Sequence, residues 1–218
     1  MQERSERTRR GLLTAAAELI DERGYAEARL SDISQRANVS KGALYFHFTS
    51  KEELAATVQE SGCEQLDRAL KELDQANASS LQTLIDMTHF VAQGLVTDPV
   101  MRATLRIGQE QAGKGPGFVD FHARCVDAAC SLLWRAHAQR SLHAAVSMEA
   151  AEALVASVIS GIEAEVRTGA EDIGLSHRLA LLWELLMRML AHEQVRDQLR
   201  FVEPMGIDGE LGTGVASV

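Results

Sequence analysis

The chain has 218 residues, 46% of them hydrophobic and 24% charged, with only three prolines, a balance that excludes a disordered polymer and favours helices around a sizeable core. Three cysteines without a CxxC pair exclude a disulfide framework, and a polar start (MQERSERTRRG) with no long apolar run excludes a signal peptide and a membrane span. A cytoplasmic protein with no membrane partner is therefore predicted. The net charge of −9 is unevenly spread: residues 1–50 carry eight Lys/Arg against seven Asp/Glu, the remainder 14 against 24, so a locally basic head precedes an acidic body.

Helical periodicity begins at once. Leu12, Ala16, Leu19 and Ile20 share one face of a predicted helix over 5–23, with Arg4, Arg7 and Arg10 away from it, and Gly24 ends it. Ser31 reads as the N-cap of a short helix over 32–37 that turns Ile33 and Ala37 inward. Asn38-Val39 makes a tight turn, and Ser40 caps a third helix over 41–47. Two very short helices joined by a tight turn behind a longer one is a helix-turn-helix layout. A long helix follows over 51–75, then a linker over 76–80 and helices over 81–96, 99–111, 118–140, 148–168 and 176–198. Ala112–Gly117 reads as a flexible loop and the stretch past Pro204 as a disordered tail. No strand and no internal repeat is predicted. The expected architecture is all-α: a three-helix head over 1–50, joined by the long helix to a helical-bundle ligand-binding and dimerisation body over 51–200, with a tail over 201–218.

The chemistry is concentrated between residues 30 and 54. A short helix entering a major groove needs small residues at its tip, so that the backbone can approach base edges; Gly42 and Ala43 supply them. It also needs donors for phosphates, and Ser31, Ser40, Lys41, Tyr45, His47 and Lys51 are available. Leu44, Phe46 and Phe48 are assigned to the opposite side, as anchors into the head's own core.

The run Ser40-Lys41-Gly42-Ala43-Leu44-Tyr45-Phe46-His47-Phe48, with Lys51-Glu52-Glu53-Leu54 after it, closely resembles the DNA-binding signature of TetR-type repressors. The resemblance implies that Ser31, Ser40, Tyr45, His47 and Lys51 contact the DNA backbone and that Lys41 and Gly42 lie nearest the bases. Asp98-Pro99-Val100-Met101-Arg102-Ala103 and Ser157-Val158-Ile159-Ser160-Gly161-Ile162-Glu163 further resemble the γ-butyrolactone receptor branch of that family. Such a relationship implies a repressor that leaves a palindromic double-stranded operator when a small lipophilic effector binds. Two residues depart from the branch: Phe121 stands where a tryptophan is usual, and Glu163 where a glutamine follows Gly-Ile. A pseudo-receptor answering to an antibiotic is thus an alternative, as is a helical DNA-binding module with no small-molecule input.

For the effector, Met87, Phe90, Ile107, Phe121, Val126, Ile159, Ser160 and Trp183 supply apolar walls and one hydroxyl. The last two helices carry broad apolar stripes (Leu154, Val155, Val158, Ile159, Ile162, Val166; Leu179, Leu182, Trp183, Leu186, Met189, Leu190) and are assigned to homodimerisation. A twofold dimer would place its reading helices about 34 Å apart, or a multiple of it, on duplex DNA. No HExxH or CxxC spacing and no phosphate-cradling loop is found, so no metal, cofactor or enzymatic activity is predicted.

Overall fold

Ten helices follow one another among the residues the computed structural model describes, 2–111, 117–169 and 172–202: α1 (Gln2–Arg23), α2 (Leu30–Arg36), α3 (Lys41–His47), α4 (Lys51–Ala76), α5 (Ser80–Thr97), α6 (Pro99–Gln111), α7 (Phe121–Ala138), α8 (Met148–Arg167), α9 (Asp172–Leu190) and α10 (Glu193–Arg196). Local chemistry sets several of the ends. Ser40 caps α3 by accepting from the Ala43 N–H, Ser147 caps α8 by accepting from Ala150, and Pro99 opens α6 where its missing N–H costs nothing. Gly24, at φ +90°, ends α1 in the left-handed region. Among the described residues no helix is long and apolar enough to cross a membrane.

Two boundaries differ from the sequence reading. Helix α2 starts at Leu30 with Arg29 as its N-cap, so Ser31 lies within the first turn and donates to Asp32 instead. The helix predicted over 176–198 stops at Leu190, because Ala191 pairs with Leu142 in an isolated bridge; His143 N–H donates to Leu190 and His192 N–H to Ser141. A non-local backbone partner there replaces the next helical turn. The predicted loop over 112–117 and the predicted tail lie largely outside the described residues.

The chain divides into two compact units, neither of which ends at residue 50: one comprises 1–72 and 99–130, the other 73–98 and 131–218. Helices α4 and α7 contribute to both. In the first unit, Leu12, Leu19, Ile20, Ile33, Leu44, Phe48, Leu54 and Val58 form one core with Ala103 and Ile107 of α6. That sharing explains why α6 belongs with the head. Gly62 of α4 permits the close approach of α6, since a Cβ there would meet the Thr104 hydroxyl at 2.2 Å. Buried Gln59 then fixes the segment before α7: its amide donates to the carbonyls of Thr104 and Val119 and accepts from the Val119 N–H.

In the second unit α5 packs against α8 and α9 and is buried nearly throughout. Its polar residues therefore need internal partners. Trp183 donates its indole N–H to Thr88 Oγ1 at 2.7 Å, and the threonine donates in turn to the Ile85 carbonyl. Gln82, Asp86 and His89, spaced at four and three, meet the C-terminal segment. Gln82 pairs with both backbone groups of Arg200, Asp86 accepts from Asn77 and Gln82 with the Arg200 guanidinium at 3.6 Å, and His89 Nε2 donates to the Phe201 carbonyl at 2.9 Å.

Burial is the dominant influence on His89 and pushes its pKa below the ordinary 6.5, outweighing the raising effects of the Phe201 carbonyl and Asp86. The folded protein thus binds the proton more weakly than the unfolded chain. This stabilisation is fully present above about pH 6.5 and is lost as pH falls through the lower folded value. Urea unfolding at pH 7.5 and at pH 5 should show wild type losing stability across that interval and His89→Gln losing less of it. Equal losses in the two proteins would remove His89 as the cause.

Candidate nucleic-acid interface

Helix α3 presents two different sides. Leu44 is buried beneath it, and Phe48, the C-cap residue that follows in extended conformation, is buried as well. Lys41, Gly42, Tyr45 and Phe46 are exposed, and Ala43 and His47 are half-buried. The Ser40 hydroxyl is spent in part on its cap, and Ser31 is exposed at the start of α2. The helix axis is held from below: Ile33 and Leu44 share the core with Leu12 and Ile20 of α1. Arg36 donates to Glu22 of α1 through both terminal guanidinium nitrogens, which lowers the Glu22 pKa and raises that of Arg36. Thr49 donates its N–H (2.7 Å) and hydroxyl (2.6 Å) to Glu53, closing the turn into α4 and holding that carboxyl below its usual range.

Phe46 corrects the sequence reading. The residue pattern assigns it to the core, yet its ring is 80% exposed, in edge contact with the His47 imidazole. The signal was present in the spacing. Residue 46 follows Gly42 by four and shares its side of the helix, whereas 44 and 48 lie four apart on the other side.

Lys51 also sits differently from a phosphate donor aimed outward. Its ammonium donates to the Ala26 carbonyl at 2.9 Å and lies 4.5 Å from the centre of the Tyr25 ring, and partial burial lowers its pKa. The Tyr25 hydroxyl donates to Glu52, and burial raises its own pKa. Lys51 thus braces the α1–α2 turn.

A second clamp, unmarked in the sequence, joins α6 to the same turn. Arg102 pairs with Asp21 at 2.7 Å, Arg106 donates to the Asp21 carbonyl, and Glu110 receives Arg106 and the Ala26 N–H. Gly24 leaves room for it, since a Cβ would meet Glu110 at 2.6 Å. Arg106–Glu110 apart, these pairs link residues more than eighty positions apart, which no local pattern reveals.

The eight residues assigned to an effector do not gather in one unit. Ile107, Phe121 and Val126 belong to the first, where Ile107 and Phe121 are buried and Ile107 is part of the head's core. Met87, Phe90, Ile159, Ser160 and Trp183 belong to the second; Met87, Ile159 and Trp183 are buried and Phe90 half-buried. Ser160 is exposed, because it follows Ile159 by 100° round α8 and leaves the buried side. It is not a buried pocket hydroxyl. Trp183 has already committed its N–H to Thr88, so it offers only ring surface.

The second unit instead carries an open groove of about 510 Å³ between α8 and α9, walled by Val158, Ile162, Leu175, Leu179 and Leu182 with the Glu165–Arg178 pair at its edge. None of the eight lines it. Gly161 borders it with open space where a Cβ would stand. Beside it α9 exposes Leu181, Leu182, Leu185 and Met189, so two of the residues assigned to its apolar stripe, Leu182 and Met189, face outward while Leu179, Trp183, Leu186 and Leu190 face the core.

Residues 12–58 match the family described as bacterial regulatory proteins, tetR family, and residues 78–192 match the tetracyclin repressor-like C-terminal domain. The A-factor receptor protein of Streptomyces griseus is 30% identical over 207 residues, 94% of this chain and 70% of that protein. Among solved structures, a γ-butyrolactone receptor (ArpA-like protein) superposes with a TM-score of 0.74 at 33% identity, over 89% of this chain and 94% of that one. CprB from Streptomyces coelicolor, in complex with its biological operator sequence, does so with a TM-score of 0.74 at 35% identity, over the same shares.

Proposed function

Because this chain belongs to the TetR family of bacterial regulators, we propose that it is a homodimeric transcriptional repressor. In this reading α3 recognises a palindromic operator, and a small lipophilic effector of the γ-butyrolactone type releases the protein from it. The observation that carries the reading is α3 itself: a capped seven-residue helix, anchored by Leu44, that turns Lys41, Gly42 and Tyr45 outward together. A bare glycine permits close approach to base edges, and the ammonium and phenol on the flank beside it suit phosphates. The likeness to a TetR family protein solved with its operator supports the DNA partner, and the likeness to γ-butyrolactone receptors supports the effector class.

The exposed leucines and methionine of α9, with the groove beside them, support a second copy as partner. A long helix keeps such residues in water at a cost unless they are covered on association. The α6 clamp supports a route for release. An effector that displaces α6 would pull on Asp21 and Ala26, and so on the seat of the reading helix, in addition to any movement of α4.

Duplexes selected from a random pool provide the test. In a mobility-shift titration at fixed salt, wild type should prefer a palindromic sequence over a scrambled duplex by about 10³-fold or more. Adding a γ-butyrolactone with an acyl chain should release it. Sequence-indifferent binding would remove the repressor. Leu185→Glu should turn a dimer into a monomer in sedimentation velocity and abolish binding to the full palindrome; an unchanged dimer would move the interface away from α9.

A further inference from the structure

We propose that Phe46 is a base-reading residue that recognises the C5 methyl group of a thymine in the major groove. The proposal rests on the reading that α3 enters that groove, and concerns what it reads there. The exposed positions of α3 fall on two flanks about 100° apart: Lys41 and Tyr45 on one, Gly42 and Phe46 on the other. The first flank carries groups that phosphates attract. The second carries none. Gly42 has no side chain, and the space its Cβ would take is open, with only the Ser40 hydroxyl near, at 3.9 Å. Phe46 is an 80% exposed phenyl ring.

A lone exposed apolar residue ordinarily asks for no explanation. This one differs in place and order. It stands one turn beyond the glycine at which the backbone comes closest, about 6 Å along the helix axis, a distance of roughly two base-pair steps. Its ring does not fold back onto the head; its neighbour is the His47 imidazole, met edge to face at 5.2 Å. A phenyl ring has neither a charge nor a hydrogen-bond donor for a phosphate, and of the base edges in the major groove only thymine presents a methyl group. The matching feature on the DNA is therefore the thymine methyl.

Replacing thymine by deoxyuridine removes that methyl and leaves the pairing intact. The test uses the full chain and a duplex it selects from a random pool, with each thymine changed to deoxyuridine in turn. At one symmetry-related pair of positions, wild type should bind roughly 3–10-fold more weakly. Phe46→Ala should lose a similar factor on the thymine duplex and be indifferent to deoxyuridine there, while melting at the wild-type temperature. The deoxyuridine series needs only wild-type protein, so it stands whatever the variant does. If every deoxyuridine duplex binds as well as the parent, the assignment is overturned. Lys41→Ala, still weaker on the unmodified duplex, would then show that α3 binds DNA without reading a methyl. If no sequence is selected at all, the DNA reading and this assignment fall together.

Discussion

Trp183→Ala should destabilise the protein by about 3–5 kcal/mol and lower its melting temperature by roughly 6–20 °C, the largest loss expected from any single side chain of the second unit. The indole is fully buried, and the groups around it are held by the rest of that core, so the space it leaves cannot collapse cheaply. The polar share of the loss is small. Thr88 gives up a donor but keeps its own hydroxyl bond to the Ile85 carbonyl, so no buried group is stranded. Trp183→Phe separates the two contributions, because it retains an aromatic ring and removes the N–H; about 1–2 kcal/mol is expected. Guanidinium titrations of the three proteins provide the measurement. An alanine variant within about 1 kcal/mol of wild type would mean that the ring is not packed as described.

Phe48→Ala should cost a similar amount, about 3–5 kcal/mol, and should abolish duplex binding with it. Phe48 is buried where the reading helix ends, among Leu12, Ile20, Ile33, Leu44 and Leu54, and the Arg9 guanidinium lies 5.6 Å from its ring centre. Without the ring, the joint between α3 and α4 loses its anchor. The control stands two residues away. Phe46→Ala removes the same atoms from an exposed position and should leave stability within about 0.5 kcal/mol of wild type. Chemical denaturation and mobility shifts on the two variants separate a structural phenylalanine from a reading one. The opposite ranking would mean that the two rings have been assigned to the wrong sides.

That pair shows how far residue patterns reach. The caps at Ser40 and Ser147, the stop at Gly24, the start at Pro99 and the inward set Leu12, Ala16, Leu19 and Ile20 are decided within a turn or two of chain, and the predicted helices agree with the observed ones there. The exposed placement of Lys41, Gly42 and Tyr45 was legible for the same reason. The sequence also showed a broad apolar stripe along α9. It did not show which leucines would be left outside. The contact of Lys51 with the Ala26 carbonyl was not legible, because that partner lies twenty-five residues earlier. The last long helix ends earlier than its periodicity predicts because Leu142 intercepts Ala191 from a distant segment.

By itself, then, the sequence determined an all-helical chain with a helix-turn-helix at its start and a polar, small-tipped reading helix. Those features arise from backbone capping and from the 3.6-residue period, which act between near neighbours. Tertiary structure alone decided that α6 shares the head's core and clamps α1, and that Gln82, Asp86 and His89 are covered by the C-terminal segment. Periodicity says which residues share a face of a helix. Which face is buried depends on what the distant chain brings against it.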